Sequence, residues 1–164
     1  MQRRELLQVI LEQLQSVIPR FSRLAKQGRV ELAMSPYAHP ILPLLLDISA
    51  GQQAQPDALR PAVDAYPGGR ESARWHLRHG RDVFERHFGI TPAGCWPSEG
   101  ALSNATLELL ATEGFRWSAS GESVLRNSIG AGAGNADLHA PGHTCQHRVY
   151  RFAENTVDCF FRDD

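Results

Sequence analysis

The sequence predicts an α/β fold in which parallel strands alternate with helices. Three observations carry this expectation. An amphipathic helical pattern over residues 3–26 is stopped by Gly28 and followed at once by the apolar run Val30-Glu31-Leu32-Ala33-Met34. Residues 94–120 spell a strand end, a turn, a helix and a second strand. Between these two units, residues 70–88 carry another helical pattern. Helices alternating with short apolar strands are the signature of βαβ units and a parallel sheet.

In the first helix Leu6, Leu7, Ile10, Leu11, Leu14, Val17 and Ile18 recur at three- and four-residue spacing and so share one face. Pro19 is expected to kink or restart this helix, because it lacks an N–H and crowds the preceding turn. Phe21, Leu24 and Ala25 continue the apolar face. The strand of residues 30–34 ends at Ser35-Pro36-Tyr37-Ala38-His39-Pro40, and a helix is expected over residues 41–48 with Pro40 near its first turn. Residues 49–56 read as a polar loop, residues 58–65 as a short helix and Pro67-Gly68-Gly69 as a turn. The helix of residues 70–88 should turn Ala73, Leu77, Val83, Phe84 and Phe88 inward and end at Gly89. His76, His79, Arg74, Arg78, Arg81 and Arg86 are expected on its solvated basic face.

Further on, Gly94 and Pro97 confine Cys95-Trp96 to the end of a short strand. Ser103 is placed as the N-cap of a helix with Leu107, Leu110 and Ala111 on its apolar face, closed by Gly114. Residues 115–120 form the next expected strand. Residues 129–135 are a Gly/Ala-rich loop, and residues 149–152 and 157–161 are two last short strands.

The 164 residues are 42% hydrophobic and 21% charged, the balance of a single soluble domain. A net charge of −1 argues against nucleic acid or an anionic membrane surface as partner. No apolar run approaches the roughly 18 residues of a membrane span. Gln2-Arg3-Arg4-Glu5 leads into an amphipathic pattern rather than a signal peptide. Cys95, Cys145 and Cys159 are an odd set without zinc-like pair spacing, so reduced thiols and a cytoplasmic location are expected. Nothing in the pattern sets an oligomeric state.

The chemistry concentrates in Gly94-Cys95-Trp96-Pro97-Ser98-Glu99-Gly100-Ala101-Leu102-Ser103. Glu99 falls between the carboxyl end of a strand and a helix, the rim from which catalytic residues project in parallel α/β folds. A sugar ring can stack on Trp96 while Glu99 reaches its reactive carbon. The same residues also fit a solvated loop carboxylate beside a core tryptophan. Tyr37 and His39 follow the neighbouring strand and are expected on the same rim. His39 fits a substrate hydrogen-bond donor, a metal ligand or a structural histidine. Glu122 is either a second rim carboxylate or a helix N-terminal charge. His139, His143, Cys145 and His147 crowd nine positions with zinc-type ligands, but their spacing matches no common zinc pattern, so no metal and no cofactor are assigned.

Two long stretches in register resemble glycoside hydrolase family 57. Residues 27–44, Gln-Gly-Arg-Val-Glu-Leu-Ala-Met-Ser-Pro-Tyr-Ala-His-Pro-Ile-Leu-Pro-Leu, are similar to its second signature region. Residues 94–100, Gly-Cys-Trp-Pro-Ser-Glu-Gly, are similar to its third, which carries the nucleophile. Residues 117–122 and 160–164 look like connecting segments of the amylopullulanase-like branch. The resemblance runs from about Val17 to the C-terminus. It implies a (β/α)7 barrel and a retaining mechanism on α-glucans, as in α-amylases, 4-α-glucanotransferases and branching enzymes. It also implies that Glu99 is the nucleophile; Trp96, Tyr37 and His39, on the same rim, are the expected sugar contacts. The family's acid/base Asp lies in an Asp-Gly-Glu-Asn-like region that this sequence lacks, as it lacks the first, His-x-Pro-like region; Asp163 and Asp164 match a segment before the acid/base region. The expectation is therefore a single incomplete domain over residues 1–164, the middle of a catalytic barrel, inactive alone. Two rivals remain: a non-catalytic carbohydrate-binding or structural remnant of the same barrel, and a metal-dependent hydrolase resembling polysaccharide deacetylases, using His39 or the residue 139–147 cluster.

Overall fold

Residues 3–54, 57, 59, 61–125, 148–152 and 156–162 are described by the computed structural model. The first helix, α1 (Arg3–Lys26), runs through Pro19 without a break, so the expected restart does not occur. The glycine stop is real: Gly28 takes a left-handed φ of 66° while its N–H and that of Arg29 close the last turn on Ala25 and Leu24. No residue of α1 is buried, and nine of its apolar side chains, from Leu6 to Phe21, are 39–66% exposed. Its C-terminal end borders an apolar groove of about 520 Å³, lined by Val17, Ile18, Phe21, Met34, Val83 and Phe84 among others. Exposed apolar area on this scale favours association. In solution the 164-residue chain is expected to sediment as species larger than its 18.2 kDa monomer. Leu14→Glu, at the position exposed by 66%, should shift it toward the monomer in analytical ultracentrifugation.

The sheet holds four strands in chain order: β1 (Ala33–Met34), β2 (Gly94–Cys95), β3 (Trp117–Gly121) and β4 (Asp158–Arg162), all parallel. β1 is shorter than the apolar run that predicts it. Its partner β2 starts only at Gly94, opposite Ala33, two residues after Pro92, which has no N–H to offer a ladder. Gly94 is required for packing: a Cβ there would lie 2.0 Å from the Trp117 ring on β3. The expected strand at residues 149–152 is instead a single antiparallel bridge, Tyr150 to Cys159.

Helices cover this sheet. α2 (Leu42–Leu46) stops sooner than expected because the Asp47 carboxylate accepts from the Ser49 N–H at 2.8 Å and the Ser49 hydroxyl at 2.7 Å. It thereby caps a new 3-10 turn over Ile48–Ala50. That turn leads into one turn of helix, α3 (Gly51–Ala54), where a polar loop was expected. The helix expected over residues 58–65 is not formed among its described residues. Leu59 and Val63 there are 96% and 56% exposed, so this segment docks no apolar face, and Pro61 interrupts it. α4 (Gly69–Phe88) buries Ala73, Leu77, Gly80 and Phe84, and α5 (Asn104–Thr112) buries Leu107, Leu109 and Leu110. The Ser103 side chain caps α5 by accepting from the Thr106 N–H.

Cys95 and Cys159 sit in this core with no exposed surface. Burial pushes the Cys95 thiol from 9.0 up to about 12, against a partly offsetting Arg81 charge. Burial, aided by the Asp158 charge, pushes Cys159 up to about 11. Between the unfolded and folded values the unfolded chain binds fewer protons, so stability falls as pH rises through that window. Urea midpoints are expected to drop above about pH 9, and Cys95→Ala should flatten that drop. At neutral pH both thiols should react with a disulfide reagent only as fast as the protein opens.

Candidate active site

The carboxyl ends of β1, β2, β3 and β4 lie side by side and form one rim. The backbone ties them together. Trp96 N–H donates to the Met34 carbonyl at 2.8 Å, and the Ser35 hydroxyl donates back to the Trp96 carbonyl at 3.0 Å. From β3, the buried Ser120 hydroxyl donates to the Gly100 carbonyl at 2.5 Å, fixing the turn after β2. α4 clamps the turn after β1: the Tyr37 N–H donates to the His76 carbonyl at 3.0 Å, and His76 Nδ1 lies 2.7 Å from the Tyr37 carbonyl. Gly80 permits this approach, since a Cβ would come within 2.8 Å of Met34 and 3.1 Å of the Tyr37 nitrogen.

Both turns hold residues in the left-handed region. Ala38 and His39 have φ of 56° and 57°, and Glu99 has φ of 56° inside the 3-10 turn Ser98–Gly100. They are the three non-glycine residues of positive φ among the described residues, and each costs about 1–2 kcal/mol over the ordinary helical conformation. The effect is to aim two side chains at each other across the rim: His39 Nε2 stands 3.2 Å from Glu99 Oε1. The two side chains are 58% and 76% exposed, and an ion pair so exposed contributes about 0–1 kcal/mol. That does not offset the backbone strain, so the pair is not there for stability.

Trp96 is half-buried on the same strand end. The Arg162 guanidinium, from the end of β4, stands 5.8 Å from its ring centroid. Tyr37 goes elsewhere. Its ring packs edge-on against His79 at 4.3 Å and Trp75 at 5.7 Å, so α4 holds it while the backbone turns His39 toward Glu99. Glu122 is buried directly after β3 and opens a helical run over residues 122–125.

The basic face expected on α4 is solvated only in part: Arg78 and Arg86 are exposed, yet Arg74, Arg78 and Arg81 are held by Glu113. Arg74 and Arg78 donate to the buried Glu113 carboxylate at 3.0 and 2.8 Å, and Arg81 donates to the Glu113 carbonyl while its guanidinium lies over the Phe115 ring. His76 binds the Tyr37 carbonyl, and His79 stacks on Trp75. Charge runs on a helix are usually solvated, and here the signal that could have overturned that prior was the apolar surroundings of Glu113 in Leu109-Leu110-Ala111-Thr112-Glu113-Gly114-Phe115. Arg162 had no sequence signal beyond its place at a strand end.

Among the described residues no group of three or more His, Cys, Asp or Glu side chains is placed to hold a metal ion. His139, His143, Cys145, His147, Asp163 and Asp164 lie outside the described residues. No described helix is long and apolar enough to cross a membrane.

Comparison with known proteins gives the site its context. A search of curated protein sequences found no match. Among solved structures, a GH57-type branching enzyme from the hyperthermophilic archaeon Pyrococcus horikoshii superposes with a TM-score of 0.58 at 19% identity, over 94% of this chain and 26% of that one. A 4-α-glucanotransferase from Thermococcus litoralis gives 0.56 at 14% identity, over 97% and 20%. A GH57 branching enzyme from Thermococcus kodakaraensis, in complex with glucose and additives, gives 0.57 at 22% identity, over 89% and 25%. The chain thus spans between a fifth and about a quarter of each of these structures. Its parallel sheet and flanking helices are part of a (β/α)7 barrel of their kind. The profile of glycosyl hydrolase family 57 matches residues 4–164, and the chain therefore belongs to that family.

Proposed function

We propose that residues 1–164 are the middle of a catalytic barrel that cleaves or transfers α-glucan chains with retention of configuration, and that Glu99 is its nucleophile. The observation that carries this reading is the strained turn presenting Glu99, exposed and 3.2 Å from His39, at the carboxyl end of β2. The solved relatives named for α-glucan transfer and branching support the substrate class. In this reading His39 Nε2–H donates to Oε1 and holds the carboxylate while Oε2 attacks the anomeric carbon. The glycosidic C–O bond breaks as an acid, supplied from elsewhere in the barrel, protonates the departing oxygen. The ester on Glu99 is then attacked by water or a second sugar, with the same acid group now acting as base about 5–5.5 Å away. Trp96 stacks on a sugar face, with Arg162 beside it, and His39 binds a sugar hydroxyl; Tyr37, whose ring packs on His79 and Trp75, makes no contact with the reacting sugar in this reading.

Azide rescue tests the assignment. In the expressed gene product, Glu99→Ala should be inactive and should regain part of its activity with added azide, which occupies the vacated space and attacks the anomeric carbon itself. The product should then be the glycosyl azide of inverted configuration. Rescue giving the retained product would assign Glu99 to the acid/base role instead.

A further inference from the structure

Next to the strained turn, on the outer side of Tyr37, lies an aromatic group that the catalytic reading does not use. Trp75 on α4 is 51% exposed and stacks face to face on His79, with ring centroids 4.9 Å apart and planes 7° from parallel. His76 and Tyr37 both meet Trp75 edge-on, at 5.0 and 5.7 Å. Four rings therefore brace one another, and the indole is held in one orientation at low entropic cost to a ligand. Tyr37 itself is 41% exposed.

Core packing does not account for Trp75. The buried face of α4 is made by Ala73, Leu77, Gly80 and Phe84, and Trp75 is not among the residues that pack on the core. A braced, half-exposed indole flanked by imidazoles is what a pyranose ring requires. Its C–H face lies on the aromatic plane, and its hydroxyls meet ring nitrogens at the edge. The group is also continuous with the catalytic turn. His76 holds the Tyr37 carbonyl, and Tyr37-Ala38-His39 leads directly to Glu99.

We propose that Trp75, braced by His79 and Tyr37, is a remote subsite for an α-glucan chain, binding a sugar unit outside the pair that reacts. The proposal rests on the α-glucan reading above and deepens it. The subsite adds affinity for long chains through contacts away from the reacting atoms.

The test uses the chain's three tryptophans, Trp75, Trp96 and Trp117, whose indole N–H resonances can be followed in a 15N-labelled sample of the full chain. Trp75→Phe keeps a ring in the stack and assigns the Trp75 signal. Titration with maltoheptaose is expected to move the Trp75 indole resonance saturably, and cellohexaose is expected to leave it in place. Trp75→Ala should weaken maltoheptaose binding about tenfold, the worth of one well-placed aromatic contact, with Trp75→Phe in between. Movement of Trp96 without Trp75 would overturn the remote subsite and leave the catalytic reading standing. Movement of no indole at all would remove both. Equal responses to the two oligosaccharides would overturn the assignment to α-glucans. If Trp75→Ala does not fold, the resonance titration of the unsubstituted chain decides the question by itself.

Discussion

Glu99→Gln in the expressed gene product is expected to lower kcat on α-glucans by about 10⁴-fold or more, because it removes a covalent route rather than weakening one. The amide keeps the shape of the side chain and its place in the turn, but it cannot attack the anomeric carbon. Substrate affinity should change far less, since Trp96 and the hydroxyl contacts remain. Thermal stability should barely move either. Glu99 is exposed, and its contact with His39 is a surface pair worth about 0–1 kcal/mol at most. Steady-state kinetics alongside a thermal melt separates the outcomes: a large loss of kcat with an unchanged melting temperature is the signature of a group used only in the reaction. Near-normal turnover would return Glu99 to the role of a solvated loop carboxylate.

The largest effect on stability is expected at Glu113. Its carboxylate is 4% exposed and receives Arg74 and Arg78, while its carbonyl receives Arg81. This arrangement joins α4 to the end of α5. Removing one partner of a buried ion pair typically costs 3–5 kcal/mol, because the other is left uncompensated. Here the loss is moderated because Arg74 and Arg78 reach water, at 35% and 63% exposure. Glu113→Ala is therefore expected to cost about 2–4 kcal/mol, read from the urea midpoint at constant slope. Adding Arg78→Met to Glu113→Ala should cost less than the sum of the two single changes, since the two side chains are bonded to each other. An effect near zero would show that the arginines are held by their apolar stems alone.

Much of this architecture was legible in the residues. The 3.6-residue period of residues 3–26 and 70–88, the Gly28 and Gly89 stops and the Ser103 cap are local signals, and each helix formed within a residue or two of its expected ends. Most of what failed depended on partners distant in sequence, and one failure on a local cap that competes with the helix. β1 is short because Pro92, on the neighbouring chain segment, cannot donate. α2 ends early because Asp47 prefers a new cap to another helical turn. The basic face of α4 turned into an ion cluster because Glu113, more than thirty residues on from Arg78, is buried opposite it. In the site, strand-end logic placed His39 and Glu99 on one rim, and the structure holds them 3.2 Å apart. That Tyr37 would turn to α4 was not legible, because it depends on the stack that Trp75 and His79 build one helical turn apart.

The central claim is that Glu99 forms a covalent bond to sugar, and trapping that bond tests it most directly. The expressed gene product should be incubated with 5-fluoro-α-glucosyl fluoride, whose fluoride leaves readily while the ring fluorine slows breakdown of the ester. It would then be digested with pepsin and its peptides read by tandem mass spectrometry. The account predicts a fluoroglucosyl adduct on the peptide that spans residues 94–103, located on Glu99 and missing from Glu99→Gln. A fluoroglucosyl adduct on a different carboxylate, with Glu99 unmodified, would contradict it.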